Sequence, residues 1–346
     1  MHAMGQVPLQ QDANILLIGL NGIGNLILTT PLIKTLKRNF PKGKLTVLAL
    51  PDSKQAVENN PYVDSVIVYP AASNLLTRII FLLGLRKRTF DASIYPYPNG
   101  DVMSAILSFL IGATHRINFS YHLFGLETGA LSTLSIPVYP SKHDVQKNLD
   151  VARALGLKIY SDAPFMPITA ADKKTVDALL KGRTRKKDIL IGLHVGSKEG
   201  MRIWPTDNFA KLTGLLGKHN NVKILLVGTA LEEALITGYS EFKGGNIINL
   251  INKATIPQTA EAIRRCRLFI TTDSGPMHMA VSVGTQVIAI YLGPFILRTG
   301  PYGKKHLAFV TNRATKAIDK NKNHLYVARA TPSMVYASVK KILKLG

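Results

Sequence analysis

Short apolar runs alternate with longer amphipathic stretches along the first half of the chain. Residues 15–20, 45–50, 65–69 and 92–95 are rich in Val, Ile and Leu. Continuous runs of that length predict parallel strands buried on both faces. Between them the spacing predicts helices at about 31–39, 53–59, 74–87 and 101–111. Strand and helix in turn predict an α/β, doubly wound domain. One more helix, over 144–155, is stopped by Gly156.

The pattern then restarts. A Pro-containing stretch at 163–167 is followed by the basic run Arg183-Thr184-Arg185-Lys186-Lys187, and new strands are predicted at 189–195, 223–227, 268–272 and 287–291. The boundary falls between these two segments, giving domains 1–170 and 171–346. The tail, 332–345, predicts an amphipathic helix. Two such domains leave a cleft, and ligands of open parallel sheets sit beyond the carboxyl ends of the strands.

The most informative segment is Thr271-Thr272-Asp273-Ser274-Gly275-Pro276-Met277-His278-Met279-Ala280. It joins an apolar strand end to a helix-like stretch that closes near Val283. Asp273 or Ser274 suits the N-cap, and Pro276 is tolerated in a first turn. Ser274 and His278 are four apart and share a helix face. Strand, polar turn and helix N-terminus together make a seat for a phosphate or diphosphate. The same residues also suit an ordinary capped connection, so the rest of the chain has to decide.

Composition narrows the choice. The chain has 346 residues, long enough for two domains. A single cysteine, Cys266, excludes a disulfide framework and a Cys-rich metal site. No secretory leader is expected from the polar residues 1–14, and no apolar run is long enough to span a bilayer. Net charge is +22, unevenly spread: 15 Lys/Arg against 10 Asp/Glu in 1–170, and 28 against 11 in 171–346. The second half therefore offers a positive field to a phosphorylated ligand, an anionic membrane or a nucleic acid.

Other segments carry candidate chemistry. The first strand runs into Gly19-Leu20-Asn21-Gly22-Ile23-Gly24-Asn25, where Gly22 and Gly24 allow close backbone approach to a ligand, although the spacing is not a dinucleotide fingerprint. The second domain opens with His194-Val195-Gly196-Ser197, then Met201-Arg202-Ile203-Trp204-Pro205. Arg202 suits a bidentate contact with phosphate, and Trp204-Pro205 predicts a helix start packed on the core. After the next strand, Glu232 and Glu233 offer carboxylates to ribose hydroxyls or simply face solvent.

Three of these segments together resemble glycosyltransferase family 9, the heptosyltransferases of lipopolysaccharide assembly: 22–34, Arg202-Ile203-Trp204-Pro205, and Asp273-Ser274-Gly275-Pro276-Met277-His278. The run Arg298-Thr299-Gly300-Pro301-Tyr302-Gly303 is also similar to that family. The resemblance implies a GT-B architecture: two Rossmann-like domains facing across a cleft, with the nucleotide sugar held mainly by the second. It implies inverting transfer of a heptose-type sugar from a nucleotide donor, ADP-heptose in type, to a lipopolysaccharide-type or other saccharide acceptor, with no metal or other cofactor required. It further implies donor contacts from Arg202, Asp273, Ser274, Gly275 and His278, with Glu232 or Glu233 near the ribose; Ser197, in the turn that opens the second domain, is a further donor-side candidate.

Two positions depart from the family. Its N-terminal motif reads Gly-Asp before the helix, and that Asp is the expected base; this chain has Gly24-Asn25. An amide cannot take a proton from a hydroxyl at neutral pH. Met103 stands where the family often has Arg. Asp101, after the turn Pro98-Asn99-Gly100, is the best-placed substitute base, with Asp144 second. Asn25 also motivates an alternative, a nucleotide-sugar-binding protein without transfer. A nucleic-acid binder is disfavoured, because aromatic residues are not interleaved with the basic ones. The expected setting is cytoplasmic and peripheral on the inner face of the plasma membrane; the segment 75–83 with the following Arg86-Lys87-Arg88 suits a basic apolar helix that meets an anionic surface, and 75–85 equally suits a core helix of the first domain.

Overall fold

The computed structural model describes residues 7–98, 102–120, 122–123, 126–127, 131–197, 204–291, 296–310, 325–328 and 330–345. The chain divides into two units, one up to Pro167 and one from Ile168.

Unit 1 runs β1 (Asn14–Gly19), α1 (Ile23–Asn39), β2 (Lys44–Ala49), β3 (Ser65–Val68), α2 (Leu75–Gly84), β4 (Ala92–Ile94), α3 (Val102–Ile111), β5 (His115–Ser120), β6 (His122–Leu123), β7 (Leu126–Glu127), β8 (Leu134–Pro137) and α4 (Asp144–Ala154). Six strands form a parallel sheet in the order β3-β2-β1-β4-β5-β8, while β6 and β7 make a small antiparallel pair. β1 lies in the middle, with Leu17 opposite Val47 of β2 on one side and Ile94 of β4 on the other. Its residues from Ile15 onward are buried, as a strand covered by helices on both faces requires.

Helix α1 begins eight residues before the expected start at 31, at Ile23, and passes straight through Pro31. A proline inside a helix leaves the carbonyl four residues back without its N–H donor. Here that carbonyl belongs to Ile27, and the hydroxyl of Thr30 donates to it at 2.7 Å. The same hydroxyl accepts the N–H of Phe165 at 2.8 Å. The stretch 53–59, expected as a helix, is a single tight turn at Lys54–Ala56.

Unit 2 runs α5 (Ala170–Leu180), β9 (Ile189–Leu193), α6 (Thr206–Leu216), β10 (Val222–Leu226), α7 (Ala230–Ile236), β11 (Ile247–Asn249), α8 (Ile256–Arg264), β12 (Leu268–Thr272), α9 (Gly275–Ser282), β13 (Val287–Tyr291), α10 (Ile296–Thr299), β14 (Leu307–Val310), β15 (Leu325–Ala328) and α11 (Pro332–Leu343). Its seven parallel strands follow the order β11-β10-β9-β12-β13-β14-β15. Trp204 enters the core just before α6: it is buried, meets Phe209 edge-on at 4.8 Å, and donates its indole N–H to the Ala330 carbonyl at 2.9 Å. This contact and the packing of α11 on α6 hold the C-terminal helix to unit 2. Cys266 is buried, its thiol directed at the Ala262 carbonyl, and burial pushes its pKa well above the ordinary thiol range.

Candidate functional site

In each sheet the strand order reverses beside the first strand, at β1/β4 in unit 1 and at β9/β12 in unit 2. Ligands of open α/β sheets gather beyond the carboxyl ends of the strands at such reversals. Of the expected site residues, Gly22, Gly24 and Asn25 fall at the first place, and Ser197, Asp273, Ser274, Gly275 and His278 at the second.

In unit 2, β9 leads into His194-Val195-Gly196-Ser197, and β12 leads into Asp273 and Ser274 before α9. Hydrogen bonds stitch the two loops together. Thr272 Oγ1 donates to the Gly196 carbonyl at 2.6 Å, and Ser197 Oγ to the Asp273 carbonyl at 3.4 Å. His194 Nδ1 lies 3.3 Å from both the Thr271 and the Ser274 hydroxyls. Ser274 is the N-cap residue of α9, but its side chain makes no capping hydrogen bond; it is turned to His194 instead. The first N–H groups of a helix have no acceptor in the preceding turn; in α9 Pro276 has none to offer, and the Met277 N–H donates to the Ser274 carbonyl at 3.1 Å. A helix N-terminus flanked by a polar loop is the kind of seat an anionic diphosphate takes. Gly275 starts that helix, and His278 lies one turn in and is buried.

Glu232 is held inside unit 2 by partners on two loops. It is 4% exposed. Its Oε2 accepts from the Thr229 N–H at 2.6 Å and hydroxyl at 2.8 Å, closing the capping box of α7, and its Oε1 faces His194 Nε2 at 3.2 Å. The carboxylate is thus a brace beneath the loop, acting on the site through His194. Exposed Glu233 accepts from Asn252 at 2.6 Å. The brace also explains two glycines: a Cβ at Gly196 would lie 2.0 Å from Glu232 Oε1, and one at Gly228 2.6 Å from Glu232 Cβ. His194, Thr271, Thr272 and Thr229 were given no role by sequence reasoning. The one available signal was position, since His194 directly follows an apolar strand.

On the neighbouring strand at the same carboxyl edge, Tyr291 ends β13 and donates its hydroxyl to the Thr299 carbonyl at 2.7 Å. That bond ties the end of β13 to α10, which carries Arg298. Arg202 lies outside the described residues.

In unit 1, Gly22 caps α1 without a side-chain bond, and Gly24 and half-buried Asn25 occupy the first turn at the β1/β4 reversal. The opposing edge is the stretch after β4, Tyr95 to Pro98, with a cis bond between Tyr97 and Pro98. It is held from below by α4. Asn148 accepts the Tyr97 N–H at 2.9 Å and donates to Thr29 Oγ1 at 3.4 Å. Lys147 lies over the Tyr97 ring, 4.1 Å from its centre, and its ammonium is 3.0 Å from Asp144 Oδ1. Asp144 therefore faces Lys147 inside the unit. Met103 is exposed, and Asp101 lies outside the described residues. No group of three or more His, Cys, Asp or Glu suited to a metal occurs among the described residues.

Two units, each a doubly wound parallel sheet, have the architecture of the GT-B fold. The comparisons give the family. The model of glycosyltransferase family 9 (heptosyltransferase) matches residues 81–327, and the chain belongs to that family. It is 25% identical over 339 residues to lipopolysaccharide heptosyltransferase 3 of Escherichia coli strain K12, covering 92% of this chain and 95% of that one. Among solved structures, a family 9 glycosyltransferase from Veillonella parvula DSM 2008 superposes with a TM-score of 0.80 at 23% identity, over 98% of this chain and 99% of that one. The E. coli heptosyltransferase WaaC, solved with ADP-2-deoxy-2-fluoro heptose, superposes with a TM-score of 0.67 at 17% identity, over 95% and 99%.

Proposed function

We propose that this enzyme moves a heptose-type sugar, with inversion, from an ADP-activated donor to a lipopolysaccharide-type, lipid-linked saccharide at the inner face of the plasma membrane. The observation that carries the donor half is the β9/β12 reversal, where Ser197, Asp273, Ser274, Gly275 and His278 meet at one helix N-terminus. The relative's lipopolysaccharide specificity and the ADP-sugar in the WaaC structure support the substrates.

In this reading the acceptor hydroxyl attacks the anomeric carbon from the face opposite the diphosphate. The carbon–oxygen bond to the diphosphate breaks, and negative charge grows on the leaving group. The α9 N-terminus, His278 and Arg202 stabilise that charge where it develops. Glu232 fixes the orientation of His194, which in turn fixes Ser274. No metal or other cofactor enters this scheme. The amide of Asn25 cannot take the acceptor proton, which goes to a carboxylate; Asp101 is the proposed base. Gly22 and Gly24 give the acceptor side room to approach the backbone.

Asn25 favours one second reading, a protein that binds the nucleotide sugar without transferring it. A single experiment separates the two. The enzyme is incubated with ADP-heptose and a panel of truncated lipopolysaccharide acceptors, and products are read by mass spectrometry. Transfer of one heptose unit supports the proposal. Calorimetric binding of the donor with no product on any acceptor supports the second reading.

A further inference from the structure

Unit 1 carries a surface feature that the donor site does not use. Leu75, Leu76 and Ile80 of α2 are 72%, 67% and 61% exposed, and Leu83 is exposed as well. Leu76, Ile80 and Leu83 follow spacings of four and three and so share one stripe of the helix. The opposite side makes the core contact: Leu82 is buried, and Phe81 meets Tyr69 edge-on at 5.9 Å. Helix α3 packs alongside, and its Met103 and Phe109 are exposed as well, on different faces of that helix. The one charge within α2, Arg78, is folded back to the carbonyls of Ser73 and Ala71. It leaves the apolar stripe uninterrupted.

The rim of this face is basic. Arg86, Lys87 and Arg88 follow α2 and are exposed. No Asp or Glu occurs between Asp64 and Asp91, or from 102 to 126. Contiguous apolar surface of this kind is rare on monomers unless something covers it. A basic rim with no carboxylate over two neighbouring helices complements an anionic lipid surface: the apolar side chains enter the headgroup boundary and the cations meet phosphates. At ten residues α2 is about 15 Å long, and no described helix is long and apolar enough to cross a membrane. The geometry suits lying in the interface.

We propose that α2 and the basic turn after it are the docking surface of this enzyme for an anionic phospholipid bilayer. Leu75, Leu76 and Ile80 are the inserting groups, and Lys87 and Arg88 the phosphate contacts. The purpose of the surface rests on the lipid-linked acceptor proposed above, but the binding itself is measured without substrate.

The test is co-sedimentation of the full chain with vesicles of phosphatidylglycerol and phosphatidylcholine in equal parts, and with phosphatidylcholine alone. Binding is expected to the first at low salt. It should weaken as salt rises to about 1 M, where charges are screened beyond ~3 Å. Leu76→Glu with Ile80→Glu, and separately Lys87→Glu with Arg88→Glu, should each lower partitioning roughly tenfold or more. All four side chains are exposed, so the fold survives, which circular dichroism checks. Absent binding of the unaltered protein to the anionic vesicles overturns the proposal. So does unchanged partitioning of both variants, or equal binding to phosphatidylcholine alone. A dimer in sedimentation velocity that Leu76→Glu dissolves would assign the face to a second copy instead. Both variants should keep their rate on a deacylated, water-soluble acceptor and lose rate on a vesicle-borne one. If the unaltered enzyme acts on neither acceptor, the transfer reading fails while the sedimentation result stands by itself.

Discussion

Nε2 of His194 lies 3.2 Å from Oε1 of Glu232, and both side chains are only 5% exposed. This contact connects the end of β9 to the start of α7, and through His194 it reaches Ser274 at the N-terminus of α9. Burial by itself would raise the Glu232 carboxyl. The hydrogen bond and charge of His194 and the two hydrogen bonds from Thr229 outweigh it and hold the group at about 2, against an ordinary 4.5.

That depression sets a pH dependence. A carboxyl with a lowered folded pKa takes up protons more readily in the unfolded chain. Its contribution to stability is therefore complete above about 4.5 and is lost as the pH falls through about 2. Glu232→Gln should destabilise the protein at neutral pH, and its deficit against the unaltered chain should shrink on acidification. Denaturant titrations at about pH 7 and about pH 3 measure both deficits. Equal deficits would show that the charge of Glu232 is not the source.

Gly196→Ala should be costly for a reason of space. The added methyl would sit 2.0 Å from Glu232 Oε1, so either the loop or the brace must move. Overpacking of this kind costs ~1–3 kcal/mol, and ADP binding should weaken with it. Shortening the neighbour in Gly196→Ala with Glu232→Ala should recover part of the loss. Strict additivity in that double-mutant cycle would mean the two positions do not press on each other.

The acceptor-side base is tested by kinetics. Asp101→Asn should lower turnover on the true acceptor by roughly 10²–10⁴-fold, the usual contribution of acid–base catalysis. Asn25→Asp should leave donor affinity nearly unchanged, because that position belongs to unit 1, and should raise turnover. A fully active Asp101→Asn enzyme removes Asp101 from the mechanism.

Lys147 and Asp144 form an ion pair with side chains 1% and 2% exposed. Removing one partner strands a buried charge. Lys147→Met should therefore cost about 3–5 kcal/mol in chemical denaturation, while Lys147→Met with Asp144→Leu should cost less. Because Lys147 lies over Tyr97, the single change should also loosen the stretch after β4. Amide exchange of the Tyr97 N–H would report that loosening, and unaltered exchange would confine the role of the pair to stability.

The pattern of the chain showed the layers well and the braces poorly. The strand at 268–272 and the turn into α9 were legible because an apolar run ends in cap and turn residues with little overlap between the two signals. The start of α1 was not. Pro31 reads as a helix opening, and only the structure shows the Thr30 hydroxyl taking the place of the missing N–H. The helix expected at 53–59 failed because Asp52, Ser53, Asn59 and Asn60 compete for the backbone. His194 and Glu232 could not be paired from sequence, since their contact depends on how β9 and β10 lie side by side. For the same reason the chain alone left Glu232 and Glu233 equal candidates for a ribose contact or a solvated helix face, while the structure shows Glu232 bonded to Thr229 and His194. Asp144 and Lys147, three apart on α4, carried the spacing of an ordinary surface pair; the packing of α4 on α1 is what buries them.

The single cysteine offers a practical consequence. Cys266 is sealed in the core with its thiol kept protonated, so thiol reagents at neutral pH should leave the native chain untouched. The natural protein is already a clean background for site-directed labelling. A polarity-sensitive dye attached through Leu76→Cys or Arg88→Cys would report from one chosen point of unit 1 alone, with no cysteine to remove beforehand.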